Sequence, residues 1–469
     1  MKNFKEKKNY LFLILVALIG CVLWFSPHPE GMNLSAWRLF SIFTATIIGI
    51  VLKPLPMSVI TLISLTVTIA TGVLSVPQAF SGFSNEIVWL VVFAFFISRG
   101  FISTGLGKRM AYKIMSLVGK SSLGLGYGLV AADLFLAPAI PSITARAGGI
   151  VFPILKALTE VFTGKSHDPK MGIFLTITAF QGMAITSAMF LTSMAGNPMI
   201  AKLAYNQGVE ITWSSWAIAA IVPGLISLAV IPYVLYRLIS PVIKKTPHAR
   251  EMAEERLADM GAMKPKEWIV LSTFFLLITL WIIGPFIHLS ATTAAMIGLT
   301  IFFLTGIIEW TSILEEKTAW DTFIWFSILV TLATFLYELG FTTWFSQWVV
   351  GQTQGFNWIL GFSIVSLLYF YSHYFFASSV AHICAMYAPF LIVAIALGTP
   401  PELAALTLAF YSSLFGGLTH YSSGPAPIFF GMGLVPISLW WKMGAIVGSI
   451  NVVIWMVFGG LWWKILGLW

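Results

Sequence analysis

Pro141-Ser142-Ile143-Thr144-Ala145-Arg146-Ala147-Gly148-Gly149-Ile150-Val151-Phe152-Pro153 decides how this chain is read. The stretch lies inside a hydrophobic segment, yet it holds prolines, hydroxyls, a guanidinium and a glycine pair. A guanidinium at the bilayer centre costs at least about 2.5 kcal/mol unless it faces a partner or a water-filled cavity. Backbone interrupted by Pro and Gly is tolerated at membrane depth only where protein or a cavity covers it. The sequence therefore predicts a binding-site tip here rather than a lipid-facing span.

The layout recurs in the second half of the chain, in Ser378-Ser379-Val380-Ala381-His382-Ile383-Cys384-Ala385-Met386-Tyr387-Ala388-Pro389. One constant offset carries Ser142 to Ser378, Arg146 to His382 and Pro153 to Pro389. Trp89 and Trp325 share that offset. Further along, Leu191-Thr192-Ser193-Met194-Ala195-Gly196-Asn197-Pro198 is matched by Leu418-Thr419-His420-Tyr421-Ser422-Ser423-Gly424-Pro425, at a slightly shorter offset. Three landmarks in the same order imply two homologous halves. A matched pair of polar, broken segments in two halves points to a transporter binding site near the bilayer midplane.

Composition sets the class. Of 469 residues 58% are hydrophobic and 9% charged, and the mean hydropathy is +0.90, so the chain is an all-α polytopic membrane protein. A net charge of +8 would suggest nucleic acid in a soluble protein; here it belongs to positive cytoplasmic loops, and no nucleic-acid partner is expected. Cys21 and Cys384 lie in apolar stretches, which leaves no disulfide framework or metal cluster. The basic, apolar N-terminus lacks a small-residue cleavage site after Phe25 and reads as an uncleaved first helix.

Spans of about 20 apolar residues are predicted near 10–25, 36–52, 56–74, 86–104, 171–205, 214–238, 268–287, 291–308, 320–339, 402–430 and 440–463, about eleven in all. The segment 171–205 is too long for one straight crossing and is expected to break at Ala195-Gly196-Asn197-Pro198; 402–430 is expected to break at Ser422-Ser423-Gly424-Pro425. Lys108, Arg109, Lys113 and Lys120 read as a basic loop. Lys120 on one side and Lys156, Lys165 and Lys170 on the other flank 121–156, so this segment enters and returns on the cytoplasmic side as a re-entrant hairpin. The segment 341–398 has no Lys or Arg and fits a second hairpin, about 357–392, entered from outside. Residues 240–267 read as a charged cytoplasmic linker between an N-terminal half, 1–239, and a C-terminal half, 268–469. With the N-terminus cytoplasmic and the C-terminus outside, nearly every Lys and Arg outside the spans falls on the cytoplasmic side, with Arg38, Lys202 and Lys464 as exceptions. An odd span count per half requires the halves to be inverted.

Two tips meeting two broken helices would pool hydroxyls from Ser142, Thr144, Ser378, Ser379, Thr419, Ser422 and Ser423 and the Asn197 amide. Helix starts after Pro198 and Pro425 would add free N–H donors. Arg146 and His382 add positive charge or nitrogen donors, so a small anion with a carboxylate at each end is the predicted substrate. In the structural alternative, Arg146 pairs with Asp133 or caps carbonyls of a neighbouring arm, and His382 is a packing histidine. His420 and Tyr421 divide evenly between site lining and packing. No cofactor or metal is expected. No paired carboxylates, metal-ligand spacing or nucleophile–base set accompanies the histidines, which disfavours an enzyme. Two occluding hairpins suit alternating access better than an open pore.

At these residues the chain resembles the divalent anion/sodium symporter family, and within it the branch of bacterial citrate/succinate and tartrate/succinate antiporters and plastid 2-oxoglutarate/malate translocators. The stretches Pro141 to Arg146, Tyr374-Phe375-Phe376-Ala377-Ser378-Ser379-Val380-Ala381-His382 and Gly416-Gly417-Leu418-Thr419-His420-Tyr421-Ser422-Ser423-Gly424-Pro425-Ala426-Pro427 carry the resemblance. Family tips usually read Ser-Asn-Thr, with asparagines that contact substrate carboxylates and help frame sodium sites. Here Ile143 replaces the first asparagine, and Ser379 and Val380 depart in the second tip, so Ser142, Thr144 and Ser378 carry over unchanged. The resemblance implies exchange of C4/C5 dicarboxylates such as malate, succinate and 2-oxoglutarate across the cell membrane. It further implies a homodimer in the lipid bilayer whose hairpins move as an elevator. Loss of tip oxygens at Ile143 and Val380 points to sodium-independent exchange; the alternative is a sodium-coupled dicarboxylate or citrate symporter.

Overall fold

Stop signals written locally in the sequence set most of the helix ends. The computed structural model describes residues 2–165, 169–352 and 357–469 as helices, turns and loops, with one isolated bridge between Ser121 and Lys245. Among the described residues nine helices are long and apolar enough to cross a membrane, two fewer than the sequence predicts. Three predicted spans are instead shorter apolar stretches, Asn9–Phe25, Met57–Ala70 and Ala291–Leu304. Met57–Ala70 is confined between Pro56 at its start and the turn at Gly72, whose φ is +70°. The predicted second hairpin contributes two of the nine, Trp358–Phe375 and Ser379–Ala396.

The repeat extends to backbone detail. Ser122–Leu136 is followed by a short helix, Ile143–Arg146, and a π-turn, Ala147–Val151. Trp358–Tyr371 is followed by Ser379–His382 and a π-turn, Ile383–Tyr387, and each of the three elements begins at the offset that relates Ser142 to Ser378. Such π-turns are rare and concentrate at functional sites.

Both broken helices stop earlier than predicted. Pro169–Met189 ends before the extended Phe190 and a 3₁₀ turn at Leu191–Ser193, and the chain re-enters a helix at Gly196–Tyr205. Pro401–Leu414 passes into a 3₁₀ turn at Phe415–Gly417, and Pro425–Phe430 follows. Pro198 and Pro425 therefore open the new helices rather than ending the old ones. Proline is tolerated in a first turn because the N–H it lacks has no helical partner there.

Pro169–Met189 is buried along nearly its whole length. A helix that is buried all round sits at the centre of its bundle. It packs against Ser122–Leu136, Trp213–Ile239 and Pro401–Leu414. These helices, with Trp358–Tyr371, Ala388–Ala396 and Ile437–Ile454, form one group. A second group joins Lys2–Phe25, Leu34–Leu52, Met57–Ala70, Glu86–Thr104, Pro265–Ile283, Ala291–Leu304 and Lys317–Glu338. Leu225, Phe286, Leu304, Leu368 and Leu461 are exposed large hydrophobics on the outer surface, as expected where lipid takes the place of water.

The three cations that break the charge pattern share one arrangement. Arg38 lies 5.0 Å from the Trp24 ring centre, Lys202 4.9 Å from Tyr205 and Lys464 4.8 Å from Trp469. A cation over an aromatic face gains electrostatic attraction in place of lost hydration.

Two predicted loops are helices. The basic segment forms Leu106–Val118, and the linker contains Pro247–Met260, which packs on it. Charge spacing conceals this pair, because one of its basic residues points inward. Arg109 is buried, with Nε 2.6 Å and Nη2 3.1 Å from the Glu267 carboxylate and Nη1 2.7 Å from the Gly261 carbonyl. Thr246 adds a backbone bond to Lys120 (3.0 Å) and a hydroxyl bond to Gly119 (2.8 Å), so the linker is anchored at both ends. Arg109→Met would leave Glu267 buried and unpaired, at a cost of about 3–5 kcal/mol. Arg99→Met breaks a more exposed pair with Glu316 and is expected to cost less than about 1 kcal/mol. Thermal unfolding of the detergent-purified variants checks the difference; equal melting temperatures would refute the anchor.

Candidate functional site

The first tip is held from beneath by Arg146. Its guanidinium is fully buried and binds four segments at once. Nε lies 2.9 Å from Asp133 Oδ1, Nη1 2.6 Å from the carbonyls of Ile140 and Ser193, and Nη2 2.9 Å from Ser187 Oγ. Thr186 donates to the second Asp133 oxygen. Desolvating an ion pair costs several kcal/mol, which only good geometry and further hydrogen bonds offset; both are present here. In this structure the guanidinium that the sequence assigns to the substrate is paired with Asp133 and fully enclosed. It positions the tip.

His382 stands where Arg146 stands in the first half, and it too is enclosed. Its Nδ1 lies 3.1 Å from His373 Nδ1 and its Nε2 3.1 Å from Ser372 Oγ. His373 Nε2 donates to the Ser422 carbonyl at 2.8 Å. A carbonyl only accepts, so in a neutral His373 Nδ1 must accept in turn from His382 Nδ1–H. With both rings neutral, His382 Nε2 accepts from the Ser372 hydroxyl, whose one proton is shared with the Tyr369 carbonyl at 2.9 Å. Tyr369, Phe376 and Phe415 stack around His382 at centroid distances of 4.8, 4.5 and 4.5 Å. The His382 ring is thus enclosed by stacked rings and hydrogen-bonded at both nitrogens.

The remaining predicted residues divide by exposure. Asn197, Thr419 and Ser422 are fully buried and serve the broken backbone. Asn197 Nδ2 donates to the carbonyls of Ser187 (2.8 Å) and Phe190 (2.9 Å), while its Oδ1 accepts from Ser413 at 3.2 Å. These carbonyls lie where helical partners run out. Ser422 Oγ donates to Gly416 or Thr419, and Thr419 Oγ1 accepts from the Tyr421 N–H. Asn197, Thr419 and Ser422, expected to line the cavity, are thus enclosed in this structure. Pro198 borders a separate cavity of about 490 Å³ with Glu86, Glu210 and His288.

Ser142, Thr144, Ser378, Ser423 and Gly424 reach open space. Ser142 and Ser378 are equivalent caps, accepting from the Ala145 and Ala381 N–H groups at 3.1 and 3.4 Å. A Cβ added to Gly424 would overlap Thr144 Oγ1, so the first tip touches the second broken segment directly. Ser423 donates to the Gly416 carbonyl at 2.9 Å, and Ser379 donates to the Ser422 carbonyl at 3.2 Å. One connected polar strip therefore runs from Thr144 through Gly424 and Ser422 to Ser379. Ile143 and Val380 sit half-buried against the core beside it.

The model of the sodium:sulfate symporter transmembrane region matches residues 6–469. The chain belongs to this family. Its relatives there include YflS of Bacillus subtilis (strain 168), provisionally named a malate transporter, at 52% identity over 97% of this chain and 96% of that one. The chloroplastic dicarboxylate transporter 1 of Arabidopsis thaliana is 49% identical over 96% of this chain and 82% of that one. The inner membrane protein YbhI of Escherichia coli (strain K12) is 35% identical over 99% of both. Solved structures share the fold at low identity: the Alcanivorax borkumensis YdaH transporter (TM-score 0.53, 14% identity, 99% and 98% covered) and Neisseria gonorrhoeae MtrF (TM-score 0.56, 13%, 98% and 94%). The family member described here is a multi-pass membrane transporter and not an enzyme.

Sequence inspection overlooks His373, Ser187, Ser413 and Gln181, whose Nε2 donates to the Gly417 carbonyl at 2.8 Å. Only His373, a short way before His382, carries a local signal. Arg146→Ala is expected to unfold well below the parent temperature, by about 3–5 kcal/mol of stability, because Asp133 is left buried and unpaired. Asp133→Ala/Arg146→Ala should recover part of that loss. A folded, fully stable Arg146→Ala that fails to transport would return Arg146 to substrate contact.

Proposed function

We propose that this transporter exchanges small dicarboxylates of the malate, succinate and 2-oxoglutarate class across the cell membrane without sodium. The observation that carries it is the polar strip joining two equivalent tips, with open hydroxyls at Ser142, Thr144 and Ser378. Hydroxyl donors facing a water-accessible opening suit carboxylate oxygens. The names of YflS and the chloroplast relatives support the same class.

In this proposal the halves are inverted, the tips belong to re-entrant hairpins, and the group built on Pro169–Met189 moves as an elevator against the second group, in a homodimer with a cytoplasmic N-terminus and an external C-terminus. The two packing groups support such a division, since Pro169–Met189 and Pro401–Leu414, the helices that precede the two breaks, pack together in the first, while Gly196–Tyr205 packs against Glu86–Thr104 and Lys317–Glu338 of the second. Sodium independence is supported by Ile143 and Val380, which bring methyl groups where a cation cage needs oxygens. The sodium in the family description favours symport as the second reading.

Liposomes preloaded with malate are expected to take up labelled succinate at least tenfold faster than empty ones, a difference of about 1.4 kcal/mol in barrier, with no loss when choline replaces sodium. Fast uptake into empty liposomes that collapses without sodium would establish the symporter instead. Counterflow against malate, succinate, 2-oxoglutarate, tartrate and citrate ranks the substrates.

A further inference from the structure

With Arg146 neutralised and His382 packed as an imidazole, neither tip supplies a free charge for an anion. A cation reaches the second tip from elsewhere. Lys53 closes the Leu34–Leu52 helix in the left-handed conformation, φ 52° and ψ 45°, its N–H bonded to the Gly49 carbonyl. That conformation disfavours side chains with a Cβ and is normally left to Gly or Asn. Here it aims the side chain across the boundary between the two helix groups. Lys53 Nζ donates to the Ala377 carbonyl at 3.1 Å, immediately before the cap Ser378.

Around this contact lies a cleft of about 370 Å³, bordered on one side by Asn9, Lys53 and Met57 and on the other by Ser378 and Ala381. Its volume is in the range of small-ligand sites, about 300–1,000 Å³. It offers an ammonium, an amide and a hydroxyl, and no acidic side chain lines it among the described residues. An ammonium has three N–H donors, and the bond to Ala377 uses one of them. The Ser378 oxygen accepts from Ala381, so its own proton remains available. Partial burial holds the Lys53 pKa below its ordinary value. A partly desolvated ammonium attracts an incoming anion more strongly than one in bulk water does.

We infer that this cleft is a carboxylate-binding subsite, in which Lys53 Nζ and Ser378 Oγ hold one end of the substrate. The inference rests on the dicarboxylate reading. Lys53 and Ser378 come from different helix groups, so the subsite is whole only while the second tip lies against the end of Leu34–Leu52. Lys53 then acts on affinity from one side of the membrane, and a monocarboxylate can occupy the subsite but gains no second anchor at the first tip.

The test uses the full chain in proteoliposomes. Lys53→Met should raise the KM for succinate at least about tenfold, the span of one charge-assisted hydrogen bond, and by a larger factor than it lowers Vmax. Lys53→Arg should restore most of that affinity. In a Cys21→Ser/Cys384→Ala background, Lys53→Cys should regain low KM after reaction with a trimethylammonium-bearing thiol reagent and not after a sulfonate-bearing one. Succinate should slow both modifications. An unchanged KM in Lys53→Met, or a fallen Vmax at constant KM, overturns the subsite and leaves Lys53 a latch. If the parent protein moves neither succinate nor malate, the dicarboxylate reading fails by itself. The subsite then stands or falls on whether succinate protects Lys53→Cys.

Discussion

The tip architecture depends on one buried guanidinium. Where Pro169–Met189 stops, the carbonyls of its last turn and of the following 3₁₀ segment lose their helical partners, at a depth where no solvent can replace them. Arg146 and Asn197 answer that need together. Arg146 binds the Ile140 and Ser193 carbonyls and the Ser187 hydroxyl, and Asn197 binds the Ser187 and Phe190 carbonyls. Asp133 makes the arrangement possible by cancelling the charge. A cation that looks like a substrate ligand in one dimension is, in three, what allows a helix to break inside the protein.

The second half meets the same need with different chemistry. Tyr369 holds the place that Asp133 holds in the first half, and it stacks on His382 rather than pairing with it. His373 reaches the Ser422 carbonyl in the broken segment, much as Arg146 reaches Ser193. What the halves share is therefore backbone: a serine cap, a one-turn helix, a π-turn and a break. The side chains beneath are free to differ as long as every buried donor and acceptor finds a partner.

This division leaves the polar strip from Thr144 to Ser379 without charge of its own. Neutral hydroxyls and backbone groups can bind and release an anion without a standing ion pair to break. Charge supplied from the other helix group, as at Lys53, would be present in one arrangement of the groups and absent in another.

Much of the fold was readable from sequence, because hydropathy, proline and glycine act locally and the two halves repeat in register. Most of the apolar spans, the matched tips and the presence of two broken helices follow from residue types alone. The fate of each polar side chain does not. Ser187 and Ser193 meet Arg146 from 41 and 47 residues away, Glu267 meets Arg109 across 158, and Ala377 meets Lys53 across 324. The lengths of the basic-segment and linker helices were likewise hidden, since their packing turns on one inward arginine. A sequence states that an ion lies at membrane depth; only the convergence of distant segments decides whether it faces a partner or an opening, because the large cost of desolvation can be met by either.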